Sequence, residues 1–382
     1  MKSYKAWFSR TLAHLPASRH AAAHSHHLRP NVVQDAQDAC TLDALCLADL
    51  KWPRFFEEIY PRAQAHVARL LGTGRPDNVV FASSTHELLM RLLSCLPTPV
   101  AILTTDSEFH SAARQFCRLE EAGLAHVTRV PTEPFSSFSE RFAATAQGGH
   151  DLVFVSHVFF NSGYVVPDVD ALVGALAASV RPEAFIVLDG YHAFCALPLD
   201  LSRLSARVFY LAGAYKYAMS GEGACFMHAP DGYGPRPVNT GWFAGFSALG
   251  AATAQSVPYP TDASRFAGAT LGPDGVYRFD AAMSLLEREG VDAAAIHERV
   301  RVLQGLFLDR LSTSALPPEA LLLPGERGNF LTWRSEHAHT LHQRLQALGV
   351  ICDYRQDRLR LGFGLYHDPD DIEALSELVN QL

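Results

Sequence analysis

The chain has 382 residues, of which 48% are hydrophobic and 19% charged, enough apolar material for a sizeable core and too much for a disordered chain. Lys and Arg number 32 against 40 Asp and Glu, a formal net charge of −8, and no basic run interrupts this balance, which argues against nucleic-acid binding. No uninterrupted apolar run reaches the roughly 18 residues of a membrane span, the first thirty residues hold no apolar core of signal-peptide type, and the seven cysteines are scattered without a C-x-x-C pair, so reduced thiols in a cytoplasmic protein are expected.

From Asn78 to Pro230 two periodicities alternate. Short apolar runs read as buried parallel strands at 79–83, 100–106, 152–160, 185–189, 208–214 and 224–229. Between them, 85–96, 108–123 and 169–180 repeat apolar residues at three and four, as amphipathic helices do, and the second stops on Gly123. Alternating strands and helices predict an α/β fold with a mostly parallel sheet flanked by helices. Residues 234–246, rich in Gly, Pro and aromatics, read as loop. Beyond about residue 290 the order becomes helix (291–311), strand (330–335), helix (339–349), two short strands (350–355 and 358–363) and a last helix from about Asp370. This is the pattern of a small α+β domain. The division expected is an N-terminal segment, 1–50, on the substrate side and packed with the small domain, a large α/β domain, 51–265, and a small C-terminal domain, 266–382.

Several common signatures fail. His86-Glu87 begins like H-E-x-x-H but lacks the second His, and there is neither a G-x-x-x-x-G-K-[ST] phosphate loop nor a G-x-S-x-G elbow. His24-Ser25-His26-His27 has no Cys or carboxylate near it in sequence, so it reads as a polar loop lining a pocket, and no metal is expected.

A stronger constellation lies between 185 and 229. Asp189 ends an apolar strand, an unfavourable place for an unpaired carboxylate, and His192 follows three residues later. Lys216 lies just past the next apolar strand, so both groups project from the C-terminal edge of one sheet, where open α/β folds bind ligands. Set among Ala214, Tyr215 and Tyr217, this lysine is desolvated, which lowers its pKa and favours its nucleophilic form. An Asp for a pyridinium nitrogen and a Lys for a Schiff base are the minimum for pyridoxal phosphate (PLP) chemistry; a structural Asp–Lys pair is the alternative that spacing alone leaves open.

The surrounding residues resemble the class V aminotransferase superfamily of fold-type I PLP enzymes, kynureninase in particular, from about residue 20 to the C-terminus. Leu188-Asp189-Gly190-Tyr191-His192 resembles D-x-x-H; Ala214-Tyr215-Lys216-Tyr217 resembles the S/T-Y-K-Y lysine motif, followed by the glycine-rich Ser220-Gly221-Glu222-Gly223. Residues 157–164 are similar to kynureninase's H-V-N-Y-R-T-G-Y, and 350–355, 358–362 and Leu365-Tyr366 to its V-x-C-D-x-R, I-R-V/F and P-L-Y segments.

The resemblance implies a role for each matched position. Lys216 carries PLP, Asp189 pairs with its ring nitrogen, and His192 sits beside the cofactor. Phe109 falls where an aromatic stacks on the pyridine, although a core residue at a helix start has the same pattern. Ser84 and Thr85 open a helix after a strand, a place that also suits an anion because free N–H groups face it, and Tyr215 adds a phenol to the phosphate. Trp242 matches an aromatic near the cofactor, and Thr270 a position that reaches the phosphate of the neighbouring subunit, which implies a homodimer with its site at the interface. Arg360 matches the holder of the substrate's α-carboxylate, and His26 and Asn161 fall on the substrate side.

Kynureninase's F-P-[ST]-D is here Phe109-His110-Ser111-Ala112, and its N-Y-R is Phe159-Phe160-Asn161. These departures lie on the substrate side and leave the cofactor machinery intact. Cysteine desulfurases need a nucleophilic Cys on a mobile loop, whereas Cys352 begins an apolar strand. The reading is a kynureninase-like PLP enzyme acting on a small α-amino acid, with a Schiff base at Lys216, Cα deprotonation, then side-chain cleavage or amino transfer. An aminotransferase proper and a PLP-binding protein without turnover are the alternatives.

Overall fold

A computed structural model describes residues 1–231, 234–251 and 256–382. Seven strands form the main sheet: β1 (Val79–Ala82), β2 (Val100–Thr105), β3 (Ala125–Val130), β4 (Leu152–Ser156), β5 (Phe185–Asp189), β6 (Val208–Gly213) and β7 (Cys225–His228), in the order β1-β7-β6-β5-β4-β2-β3. The pairs from β6 through β5, β4 and β2 to β3 are parallel. Strand β7 runs antiparallel to both β6 and β1, contrary to the parallel reading of 224–229. The reason is length: residues 214–224 are too few for a crossover of about a dozen or more, so the chain must turn back. That short return carries Lys216.

Strand β3 has no counterpart in the sequence reading. It is the edge strand, and its sequence AHVTRV mixes exposed polar residues with buried and half-buried apolar ones, so the continuous apolar run of a central strand is missing. The apolar run 152–160 stays in the sheet only to Ser156; beyond it the chain leaves to wall a cavity.

Helices cover both faces of the sheet. Helix Thr85–Leu93 is capped by Ser84, whose side chain accepts from the Glu87 N–H at 3.2 Å. Helix His110–Glu121 ends before Gly123, whose φ of +68° suits a residue without Cβ. Helix Asp274–Arg288 packs on helices Asn31–Leu47 and Tyr60–Leu70. A separate core lies beneath the second sheet, β8 (Leu331–Arg334), β10 (Arg358–Leu361) and β9 (Asp353–Arg355), antiparallel in that order; it gathers Leu303, Phe307, Trp333, Leu359, Leu361 and Ile372. The N-terminal segment docks here through bridges His20–Ile351 and Ala22–Gly362. No described helix is long and apolar enough to cross a membrane.

Candidate active site

Strand ends bring the polar residues together. Asp189 is the last residue of β5, and its Oδ1 accepts the Tyr191 N–H at 2.9 Å. Lys216 follows β6 by three residues, on a turn pinned by Tyr217, whose hydroxyl reaches the carbonyls of Phe363 at 2.7 Å and Asn329 at 2.9 Å. Gly213 lets the Tyr191 ring lie against β6: a Cβ there would stand 2.1 Å from the ring's Cζ. The Lys216 amine lies 4.9 Å from the Tyr215 ring centroid and 5.4 Å from that of Tyr191, and 3.5 Å from the Ser25 carbonyl.

These groups face a cavity of about 260 Å³. Its lining includes the turn Ser83-Ser84-Thr85 at the N-terminus of helix Thr85–Leu93, which carries free N–H groups and hydroxyls. The walls include Phe109, Val158 and Phe160 from one part of the chain and Asp189, Tyr191, His192, Tyr215 and Lys216 from the ends of β5 and β6. Electrostatics follow from burial. Desolvation pulls the Lys216 amine down to about 7, with Arg360 adding to the drop and Asp353 and Asp189 opposing it. Desolvation pushes Asp189 up to about 6, against the Tyr191 N–H and Lys216. His192 is held well below its ordinary value by burial, with the charges of Lys216 and Arg360 acting the same way, so it is neutral at neutral pH.

Seven of the predicted residues therefore share one cavity: Ser84, Thr85, Phe109, Asp189, His192, Tyr215 and Lys216. Three stand around it. His26 stacks on Tyr215 with centroids 4.7 Å apart. Arg360, 2% exposed, lies with its guanidinium 5.9 Å from the Phe160 ring centroid. Asn161 follows Phe160, and its Oδ1 is buried without a partner. Trp242 and Thr270 are elsewhere in the chain's own frame: the Trp242 Nε1 donates to the Thr270 hydroxyl at 3.2 Å, and Thr270 lines a groove of about 560 Å³ together with Phe56, Phe243, Phe246 and Arg91. Ser83 borders both spaces.

Sequence reasoning passed over two acids. Glu108, just before Phe109, accepts from Thr105 Oγ1 at 2.8 Å and from Ser156 Oγ at 2.5 Å and N–H at 3.2 Å, tying β2 to β4; burial outweighs these donors and pushes its carboxyl to about 8. Asp353 holds Arg360. For Glu108 the sequence signal is a carboxylate beside an apolar strand; Asp353 falls on the acid of the V-x-C-D-x-R segment, with no role attached to it.

The donor set fits PLP. A helix N-terminus with two hydroxyls suits a phosphate, a buried carboxylate suits a protonated ring nitrogen, and a desolvated amine suits the aldehyde. Residues 52–319 match the family described as aminotransferase class-V. No curated protein sequence matches the chain. Similar solved structures include a lysine variant of C-DES with glycine covalently linked to the PLP cofactor (TM-score 0.79, 17% identity, 99% of this chain and 100% of that one). They also include the apo cysteine desulfurase of Thermococcus onnurineus NA1 (0.77, 17%, 95% and 95%) and the cysteine desulfurase CsdA of Escherichia coli (0.76, 16%, 98% and 97%). At these identities the likeness is one of fold, the fold-type I architecture that the sequence led us to expect. The chain belongs to the aminotransferase class-V family and is a PLP-dependent enzyme.

Proposed function

We propose that Lys216 carries the cofactor and that the enzyme acts on a small α-amino acid, ending in cleavage of a side-chain bond. The observation that carries this reading is that Asp189 and Lys216 line one cavity together with Ser84 and Thr85 at a helix N-terminus. PLP, when bound, supplies an electron sink for the pair released at the substrate's Cα. Ser84, Thr85 and the first N–H groups of their helix bind the phosphate, and Tyr215 adds its hydroxyl. The Asp189 carboxylate holds a proton at the ring nitrogen. Phe109 and neutral His192 line the same cavity, where Phe109 would pack against the ring and His192 would orient what lies beside it. A pKa of about 7 leaves much of the Lys216 amine uncharged at neutral pH, so Nζ could act as the nucleophile toward the cofactor and as the base for the substrate's Cα proton. Arg360 takes the α-carboxylate, with His26 and Asn161 nearby.

The likeness to kynureninase rests on motifs alone; the similar structures named above are C-DES and cysteine desulfurases. Sulfur transfer through Cys225 or Cys352 is disfavoured here. Cys225, which lines the cavity, and Cys352, ahead of β9, are buried, and desolvation pushes their thiols up to about 11 and about 12. Amino transfer is the second reading, favoured by the family's description.

The test has two arms. Borohydride reduction of the holoenzyme followed by peptide mapping should place the label on Lys216 and on none of the three other lysines. An amino-acid panel read by mass spectrometry should release a side-chain fragment; a keto acid retaining the full carbon skeleton would favour transfer instead, and no product from any amino acid would leave a cofactor-binding protein without turnover.

We propose further that the enzyme is a homodimer. Trp242 and Phe246, 43% and 52% exposed, form an aromatic cluster with Phe56 and Phe243 beside Thr270, the kind of surface a partner covers. A monomer that retains its cofactor at low concentration in sedimentation would sink this.

A further inference from the structure

We propose that Asp353, itself held by His24, is a positioning residue that aims Arg360 and leaves two of its N–H groups for the substrate's α-carboxylate. This rests on the reading above that Arg360 takes that carboxylate. Arg360 has five N–H donors. Its Nε donates to Asp353 Oδ1 at 2.8 Å, its Nη2 to Asp353 Oδ2, and its Nη1 to the Phe160 carbonyl. One N–H remains on each terminal nitrogen, which matches the two oxygens of a single carboxylate. Charge agrees with the donor count. Asp353 faces Arg360 and, at 3.5 Å, Arg355; two guanidinium groups against one carboxylate leave one positive charge for one substrate anion.

Asp353 is fixed from the other side. His24 is fully buried, and its Nε2 lies 3.2 Å from Asp353 Oδ1. Burial holds His24 at about 4, so at neutral pH the ring carries one proton. A carboxylate partner requires that proton on Nε2, which agrees with a buried Nδ1 that has no partner. The ring stacks on Phe330 at 4.5 Å, and a Cβ on Gly362 would stand 2.3 Å from its Nδ1, so the imidazole has little room to turn. Burial alone would raise the Asp353 carboxyl; His24 and Arg360 hold it well below the usual carboxylate range. The same Phe330 ring lies 5.5 Å from the Arg360 guanidinium and 5.5 Å from the His192 ring. The N-terminal segment thus reaches Asp353 through the His24 hydrogen bond, with the Ala23 N–H bonded to the Gly362 carbonyl at 3.2 Å beside it.

The experiment compares L-alanine with L-alaninamide, which lacks the negative charge, as probes of the holoenzyme, followed by the cofactor's absorbance. Wild type should prefer L-alanine. Asp353→Asn should weaken L-alanine by about tenfold and leave L-alaninamide unchanged, the loss expected for one charge-assisted contact. His24→Ala should do the same to a smaller extent, and His24→Gln, which returns an N–H near the position of Nε2, should restore the preference. Should Asp353→Asn fail to fold, the two His24 variants carry the same comparison. Equal loss for both probes would mean a merely structural role, and tighter L-alanine binding would make Asp353 a competitor for Arg360; either overturns the proposal. Borohydride labelling of Lys216 in every variant separates the two readings. A wild type labelled at another lysine sinks the site assignment, whereas labelled variants with an unchanged preference sink the role of Asp353 and His24 alone.

Discussion

Asp189 and Lys216 leave the ends of adjacent strands β5 and β6 and face one cavity, and burial brings their pKa values to about 6 and about 7 from ordinary values of 3.8 and 10.5. Desolvation disfavours the charged form of each, so the acid moves up and the base moves down until they nearly meet. The cavity therefore changes its charge state near neutral pH, where a group that gives and takes a proton is most effective.

The first prediction concerns the cofactor-free protein. The Lys216 pKa is depressed on folding, so between pH 7 and 10.5 the unfolded chain holds a proton that the folded one does not, and stability rises with pH across that window. Below pH 7 the full penalty is felt, about 5 kcal/mol for a shift of this size. Lys216→Met keeps the length and removes the charge. The variant should be more stable than wild type to denaturant at pH 7, with the gap closing toward pH 10.5, and should take no borohydride label.

Asp189→Asn tests the other partner. The amide keeps an oxygen for the Tyr191 N–H, so the local turn survives, but it carries no charge to hold a proton on the ring nitrogen. Labelling of Lys216 should persist while turnover falls by about a hundredfold, the upper range for one hydrogen bond to a charged group. Unchanged turnover in the labelled variant would remove Asp189 from the chemistry.

Much of this site was legible because Asp189 and Lys216 each follow an unbroken apolar strand, a pattern that fixes both the burial and the sheet edge. The direction of β7 was not legible from its own apolar run, which is equally apolar in either direction; only the short link after β6 decides it. Strand β3 escaped because an edge strand need not be continuously apolar. Asp353 and His24, 329 positions apart in sequence, meet only because the N-terminal segment bridges onto the second sheet at Ala22–Gly362, a pairing with no local signature. Trp242 and Thr270 read as cofactor residues from their motifs, yet the fold bonds them to each other outside the Lys216 cavity, with Thr270 lining a neighbouring groove.

Acid should unfold the protein through its histidines. His20 and His367 are depressed to about 3, and His24, His27 and His157 to about 4, in each case chiefly by burial. Each contributes stability that is present above pH 6.5 and is lost as pH falls toward its folded value, because the unfolded chain binds the proton first. Five such groups add slopes of about 1.4 kcal/mol per pH unit each, enough to exhaust a typical stability before pH 4. The urea midpoint should fall steeply below pH 6.5. His157 has no charged neighbour shaping its titration, so His157→Leu should flatten that slope by about one proton; an unaltered slope would place the acid sensitivity elsewhere.

Gly213 offers the sharpest packing test. Its missing Cβ leaves the space that the Tyr191 ring fills, 2.1 Å from where that carbon would stand. The ring cannot simply swing away: it lies 4.8 Å from the Tyr215 ring centroid, its hydroxyl is 3.6 Å from Cys225 Sγ, and its backbone N–H is bonded to Asp189. Gly213→Ala should therefore destabilise by about 1–3 kcal/mol, the range for overpacking a tight interior, and should slow labelling of Lys216 because the displaced ring borders the amine. Tyr191→Ala alone should also destabilise, by opening a void. Combined, the two changes should not add: with the ring gone the alanine methyl meets no clash, and the double variant should lie near Tyr191→Ala alone. Chemical denaturation of the four proteins gives the coupling directly. Strict additivity would mean that Tyr191 and Gly213 do not share this space, and that the glycine is there for another reason.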